Sequence, residues 1–138
     1  MTLTLHVPIP YDPGDPHEQA GILFGTPGHA RLITGPLPLD QRGPDWVTLA
    51  DPGHAHAAAL AQAQGWAQIG YWHSHPPGTP FGPSEVDITD WQAALDTLGQ
   101  PFLDFPIVTG GITHVYRLTP GHAPQEVAWI SPPPDQTS

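Results

Sequence analysis

The chain has 138 residues, including 20 prolines and 15 glycines, and a formal net charge of −10. That length suits one domain around one core. Without cysteine there is no disulfide framework and no thiolate ligand or nucleophile; with three arginines and no lysine there is no basic patch for a nucleic-acid backbone.

A hydrophobic content of 38% with five tryptophans argues for a packed middle despite the proline and glycine. No apolar run approaches the roughly 18 residues of a membrane helix, and the opening MTLTLHVPIP has no basic start or long apolar stretch of a secretory signal. A cytoplasmic protein with no membrane or nucleic-acid partner is expected. The lack of lysine also means that no side-chain amine is available for conjugation.

In chain order, Leu3 to Ile9 alternates as a strand, and Pro8 and Pro10 end it. Tyr11 to His17 is a turn cluster. Glu18 then precedes Ala20 to Gly25, a short glycine-bounded apolar run that reads as a buried strand. Ala30 to Thr34 reads as a further strand, Gly35 to Asp45 as a loop and Trp46 to Leu49 as a brief strand. The stretch from His54 to Gly65 is the best helix by propensity, starting at Asp51 or Gly53. Ala67 to Tyr71 is β-prone and runs into His73. Ser84 to Leu98 reads as a second helix, with Ile88, Trp91, Leu95 and Leu98 on one face. Phe102 to Thr109 and Ile112 to Leu118 are strands joined by a Gly110-Gly111 hairpin turn, and Val127 to Ile130 is a last one. Residues 1–130 form the single domain, and 131–138 a proline-rich disordered tail. Strands with two interleaved helices give an α/β (α+β) layer fold.

The pattern His-x-His occurs twice, at His54/His56 and His73/His75, and is not specific by itself. On a strand, residues i and i+2 share a face; on a helix they diverge by about 200°. His54 and His56 open a helix and read as surface residues. His73 and His75 follow a β-prone run and are placed to reach one ion. Ser84-x-x-Asp87 is, alone, a helix cap with Ser at N-cap and an acid at N3. Glu18 alone is an exposed charge at a strand's start.

Taken together, Glu18 ahead of Gly-Ile-Leu-Phe-Gly, then His73-Ser74-His75-Pro76, then Ser84-x-x-Asp87 resemble the JAMM (MPN+) zinc metalloprotease family, in its prokaryotic branch. The likeness covers about Glu18 to Leu118. It implies a mixed sheet flanked by helices, similar in layout to cytidine deaminases, with Zn²⁺ held by His73, His75 and Asp87 and water as fourth ligand. It implies Glu18 as general base, Ser84 as oxyanion donor and Ser74 as support. It implies cleavage beside the C-terminal Gly-Gly of a ubiquitin-like or sulfur-carrier protein. The alternative is a non-catalytic interaction module of the same fold. A zinc deaminase is disfavoured, since it normally uses cysteine ligands. Two departures stand out. Eight residues, Pro76 to Pro83, separate His75 from Ser84 where the family usually has seven, so a one-residue bulge in that loop is expected. The helix that usually precedes the Glu strand has no counterpart in Tyr11 to His17. Both histidines must be neutral to bind, so metal affinity should fall below about pH 6.5.

Overall fold

The computed structural model describes residues 1–79 and 82–132. Its elements are β1 (Thr2–Leu5), β2 (Ala20–Thr26), β3 (His29–Ile33), β4 (Gln41–Arg42), β5 (Val47–Thr48), α1 (Gly53–Ala63), β6 (Ala67–His75), α2 (Glu85–Leu98), β7 (Leu103–Thr109), β8 (Ile112–Leu118) and β9 (Gln125–Ile130). The first strand stops at Leu5, short of the expected Ile9. Pro8 and Pro10 lack the N–H that pairing requires, and the chain turns away before them. Within the expected loop at 35–45, Gln41 and Arg42 pair with Thr48 and Val47, making a small antiparallel ribbon. Gly-Pro-Asp at 43–45 supplies its turn residues. Of the predicted tail, residues 133–138 lie outside the described residues.

Among the described residues, seven strands form a mixed sheet in the order β1-β3-β2-β6-β7-β8-β9. It closes on itself because β1 runs parallel to β3 on one side and to β9 on the other. Nothing in the strand periodicities announces that closure. Each of the seven contributes to one interior cluster: Leu3 and Leu5, Leu23, Ala30, Ile69 and Trp72, Val108, Val115 and Val127. Burying such side chains is the main favourable term in folding. The β7–β8 hairpin turns through Gly110 and Gly111, both at positive φ (59° and 80°), as a two-residue turn of this hand requires.

A bulge in β6 decides which side chains face where. Leu23 pairs with Gly70, but Phe24 pairs with Gln68, so Ile69 is an extra, unpaired residue. Strict alternation would put Ile69 and Trp72 on opposite faces, yet both pack in the interior cluster. The bulge resets the alternation, so Tyr71, His73 and His75 face outwards. Gly70 sits beside the bulge with its backbone against β7. A Cβ there would lie 1.8 Å from the Asp104 carbonyl oxygen, which no side chain tolerates.

Helix α2 covers the outward face. Trp91 and Leu95 pack with Leu103, Phe105, Ile107 and Leu118, flanked by Tyr71, Ala94, Leu98 and Tyr116. The predicted apolar stripe is therefore the buried one, with Trp91 fully buried and Ile88 only partly. Helix α1 packs against β2 and β6. His54, at its start, is a correction to the surface reading, which holds for His56 alone. The His54 ring is buried, with Nδ1 2.9 Å from Thr34 Oγ1 and Nε2 2.8 Å from Asp40 Oδ2. The 35–52 segment folds back so that Asp40 also accepts from the Asp51 and Leu37 amides. Burial works against the Asp40 charge, but these donors hold its carboxyl below the ordinary value. At the barrel's other buried charge, Arg117 donates to both Asp104 oxygens at 2.8 and 3.0 Å and lies over the Phe102 ring.

Candidate metal centre and its cleft

His73 and His75 end β6 on the face that meets α2. Asp87 lies in the first turn of α2. Its position follows from the cap: Ser84 Oγ accepts from the Asp87 amide at 3.1 Å, and the Ser84 amide donates to Asp87 Oδ2 at 2.9 Å. The predicted cap and the predicted ligand are thus one device, because the capping box also orients the carboxylate. The longer His75-to-Ser84 connection, of which residues 80 and 81 lie outside the described part, does not displace Asp87.

The two imidazole Nε2 atoms stand 2.9 Å apart. His73 Nε2 is 3.3 Å from Asp87 Oδ1, and His75 Nε2 is 3.3 Å from Oδ2. Four ligands arranged tetrahedrally at 2.0–2.1 Å from Zn²⁺ are about 3.3–3.4 Å apart. The His–Asp spacings sit at that value and the His–His spacing is a few tenths of an ångström shorter. The donor set of two imidazoles and one carboxylate therefore fits Zn²⁺. Among the described residues, this is the group of three or more His, Asp or Glu whose ligand atoms converge. Burial alone would raise the Asp87 carboxyl, but the His73 and His75 imidazoles beside it and the Ser84 amide hold it well below the usual carboxylate range.

Glu18 precedes β2 and is braced by the ribbon. Its amide donates to the Gly43 carbonyl at 2.9 Å, and its carbonyl accepts from Arg42 Nη1 at 3.3 Å. The next residue, Gln19, is fully buried; its amide donates to Ser74 Oγ at 2.9 Å, and the Ser74 amide donates to the Gln19 carbonyl at 2.8 Å. Ser74 points away from the metal-ligand face and ties the Glu18 segment to the ligand strand. Glu18, His73 and Asp87 line one cleft of about 390 Å³, walled by Tyr71, Trp91, Trp46 and Val86. Burial raises the Glu18 carboxyl; the nearby histidines oppose this, while Asp87 and Asp45 add to it. Ser84 is exposed at the helix start beside Asp87. Its oxygen accepts the Asp87 amide, which leaves its proton to donate elsewhere.

The structure brings His73, His75 and Asp87 into contact and places Glu18 in the same cleft. Sequence reasoning read Trp46 to Leu49 as a brief strand but not its pairing with Gln41 and Arg42, and it passed over the Gln19 clamp and the Trp46 wall. The signal available for the pairing was Gly-Pro-Asp as a turn between Gln41-Arg42 and that strand.

The sequence profile described as prokaryotic homologs of the JAB domain matches residues 12–130. No match was found among the curated proteins. Among solved structures, the chain is similar to the solution structure of protein DSY2949 from Desulfitobacterium hafniense. The TM-score is 0.61 with 21% identity, over 88% of this chain and 83% of that one. At that identity the likeness speaks for the fold. With the profile spanning most of the chain and the His73, His75 and Asp87 side chains gathered as described, this protein belongs to the prokaryotic JAB-domain family.

Proposed function

We propose that the chain is a zinc-dependent peptidase or isopeptidase that cuts beside the C-terminal Gly-Gly of a ubiquitin-like or sulfur-carrier protein. One observation carries this reading: the His73 and His75 Nε2 atoms and the Asp87 carboxylate converge within 2.9–3.3 Å of one another while the Glu18 carboxyl, with its raised proton affinity, lines the same cleft. Three protein ligands with a fourth position left open are the pattern of a catalytic rather than a structural site. When bound, Zn²⁺ supplies Lewis-acid polarisation and lowers the pKa of a coordinated water to about 7.

The protein's own groups do the rest. Glu18 takes the proton of the attacking water and passes it to the leaving amine, a task suited to a carboxyl raised by burial. Ser84 donates its hydroxyl proton to the developing oxyanion. The two imidazoles and the Ser84 amide beside Asp87 favour its ionised form, so its charge is available to a cation. The aromatic walls Trp46, Tyr71 and Trp91 support a substrate whose reacting end is slim, as a Gly-Gly tail is. The β4–β5 ribbon beside the cleft is a two-stranded sheet, to which an extended tail can add as a strand. The reading keeps the cytidine-deaminase-like layout, with imidazoles from a strand end and a carboxylate from a helix start, and the cytoplasm as the site of action.

The test is zinc analysis of the purified protein, then cleavage of a Gly-Gly-tailed carrier fusion by the wild type, Glu18→Gln and His75→Ala. One zinc per chain and cleavage abolished in both variants is the expected result. Cleavage untouched by either change refutes the mechanism. One zinc per chain with no cleavage of any such fusion refutes the substrate, and neither zinc nor cleavage leaves the non-catalytic interaction module standing.

A further inference from the structure

Among the described residues, two buried side-chain atoms have no hydrogen-bond partner: His75 Nδ1 and Thr109 Oγ1. Buried polar atoms are nearly always paired, so each such orphan calls for an explanation. These two belong to neighbouring residues. In the parallel β6–β7 ladder His75 stands in register with Thr109. Leu103, Phe105 and Ile107 all point into the cluster under α2, and Thr109 continues that alternation. Its side chain therefore shares the face on which His75 lies. Thr109 is 3% exposed, so bulk water does not explain its hydroxyl.

The His75 ring has a fixed division of labour. Its Nε2 is the atom turned to the cluster, 2.9 Å from His73 Nε2 and 3.3 Å from Asp87 Oδ2. A neutral imidazole that offers the Nε2 lone pair carries its proton on Nδ1, and that proton needs an acceptor to hold the tautomer and the ring plane. Near His75 on this face, the β7 side chains preceding Thr109 are apolar. Valine would fill the same buried strand position with two methyl groups and no polar atom, so the hydroxyl needs its own reason.

We propose that Thr109 is the positioning residue for His75: its hydroxyl accepts from the Nδ1–H across one bridging water and sets the ring so that Nε2 faces the metal position. This rests on the metal reading above, and one arm of its test does not need metal. Thr109→Val keeps the branched shape and removes the hydroxyl; Thr109→Ser restores the hydroxyl. In the metal-free protein at pH 8, long-range ¹H–¹⁵N spectra should show His75 as the Nδ1–H tautomer in the wild type and Thr109→Ser, and as the Nε2–H tautomer in Thr109→Val. Zinc competition with a chromophoric chelator should give affinity about 10- to 100-fold weaker for Thr109→Val, and within about threefold of wild type for Thr109→Ser. The metal-free Thr109→Val protein should melt no lower than the wild type, which separates positioning from a general structural role. Wild-type His75 found as the Nε2–H tautomer overturns the proposal even if no variant folds. So does Thr109→Val with unchanged tautomer and zinc affinity. If the wild type takes up no zinc, the metal reading fails on its own, and the metal-free tautomers still decide the role of Thr109.

Discussion

Replacing Trp91 by alanine tests how the fold holds the site. Trp91 is fully buried and lies parallel to Phe105, with ring centroids 4.3 Å apart and planes 5° apart. It meets Tyr116 at 6.2 Å and the edge of the His73 ring at 6.5 Å. Truncating a buried tryptophan costs about 3–5 kcal/mol, of which the stacked pair accounts for about 0.5–1.5 kcal/mol beyond area burial. With an unfolding entropy of about 2.1 cal/mol/K per residue, the 138 residues give about 0.29 kcal/mol/K. The expected fall in Tm is therefore roughly 10–17 °C. The consequence for the site is sharper. Asp87 sits one turn before Trp91 on α2, while His73 and His75 sit on β6. Loosening α2 removes the carboxylate from the imidazoles without disturbing the strand. Trp91→Ala should thus weaken zinc binding at temperatures where circular dichroism still shows a folded barrel, and Trp91→Phe, which keeps a ring on Phe105, should recover most of both losses. Urea unfolding and chelator competition measure the two. A stability loss below about 1 kcal/mol, or full zinc affinity in a clearly destabilised Trp91→Ala, would show that α2 is anchored some other way.

Two further outcomes follow from the same structure. Deleting Ile69 removes the bulge and one core side chain, but it joins Gln68 to Gly70 in a regular ladder with β2 and leaves Tyr71, His73 and His75 alternating with Trp72. The deletion should therefore cost about 2–5 kcal/mol of core burial yet keep zinc binding, and Ile69→Val should cost about 0.5–1.5 kcal/mol and keep it; a deletion variant that folds but binds no zinc would contradict this register. Glu18→Gln should stabilise the metal-free protein at neutral pH. The folded-state carboxyl is raised above its ordinary 4.5, chiefly by burial, so its favourable contribution is full below that value and is lost as pH rises through the folded value. The glutamine variant's advantage should therefore be largest at neutral pH and vanish near pH 4; an advantage that grows on acidification would reverse the sign and refute the argument.

Local order was legible wherever a residue's own chemistry dictated it. Ser84 and Asp87 announced a capped helix because a cap is made of residues three apart. Gly110-Gly111 announced a hairpin because few other residues take two successive positive φ angles. His73 and His75 announced a shared face because a strand alternates. The same local logic failed for His54, whose partners Thr34 and Asp40 lie on a loop that no periodicity describes. It also missed the pairing of Gln41 and Arg42 with Val47 and Thr48, which is too short to show alternation.

What only the tertiary structure decided is which face, which partner and which distance. The extra residue lets Ile69 and Trp72 both face the core while the two imidazoles face α2, and it is visible only once β2 is laid beside β6. The closure of the sheet through β1 depends on pairings between strands more than a hundred residues apart, Thr2 with Ala128 among them. The cleft joins Glu18, Trp46, His73 and Asp87 from four separate segments. Sequence fixes what lies within a few bonds along the backbone, through torsion and hydrogen-bond preferences. The spacing of the His73, His75 and Asp87 side chains and the shape of their cleft are through-space properties, set by how the apolar faces of distant segments find one another.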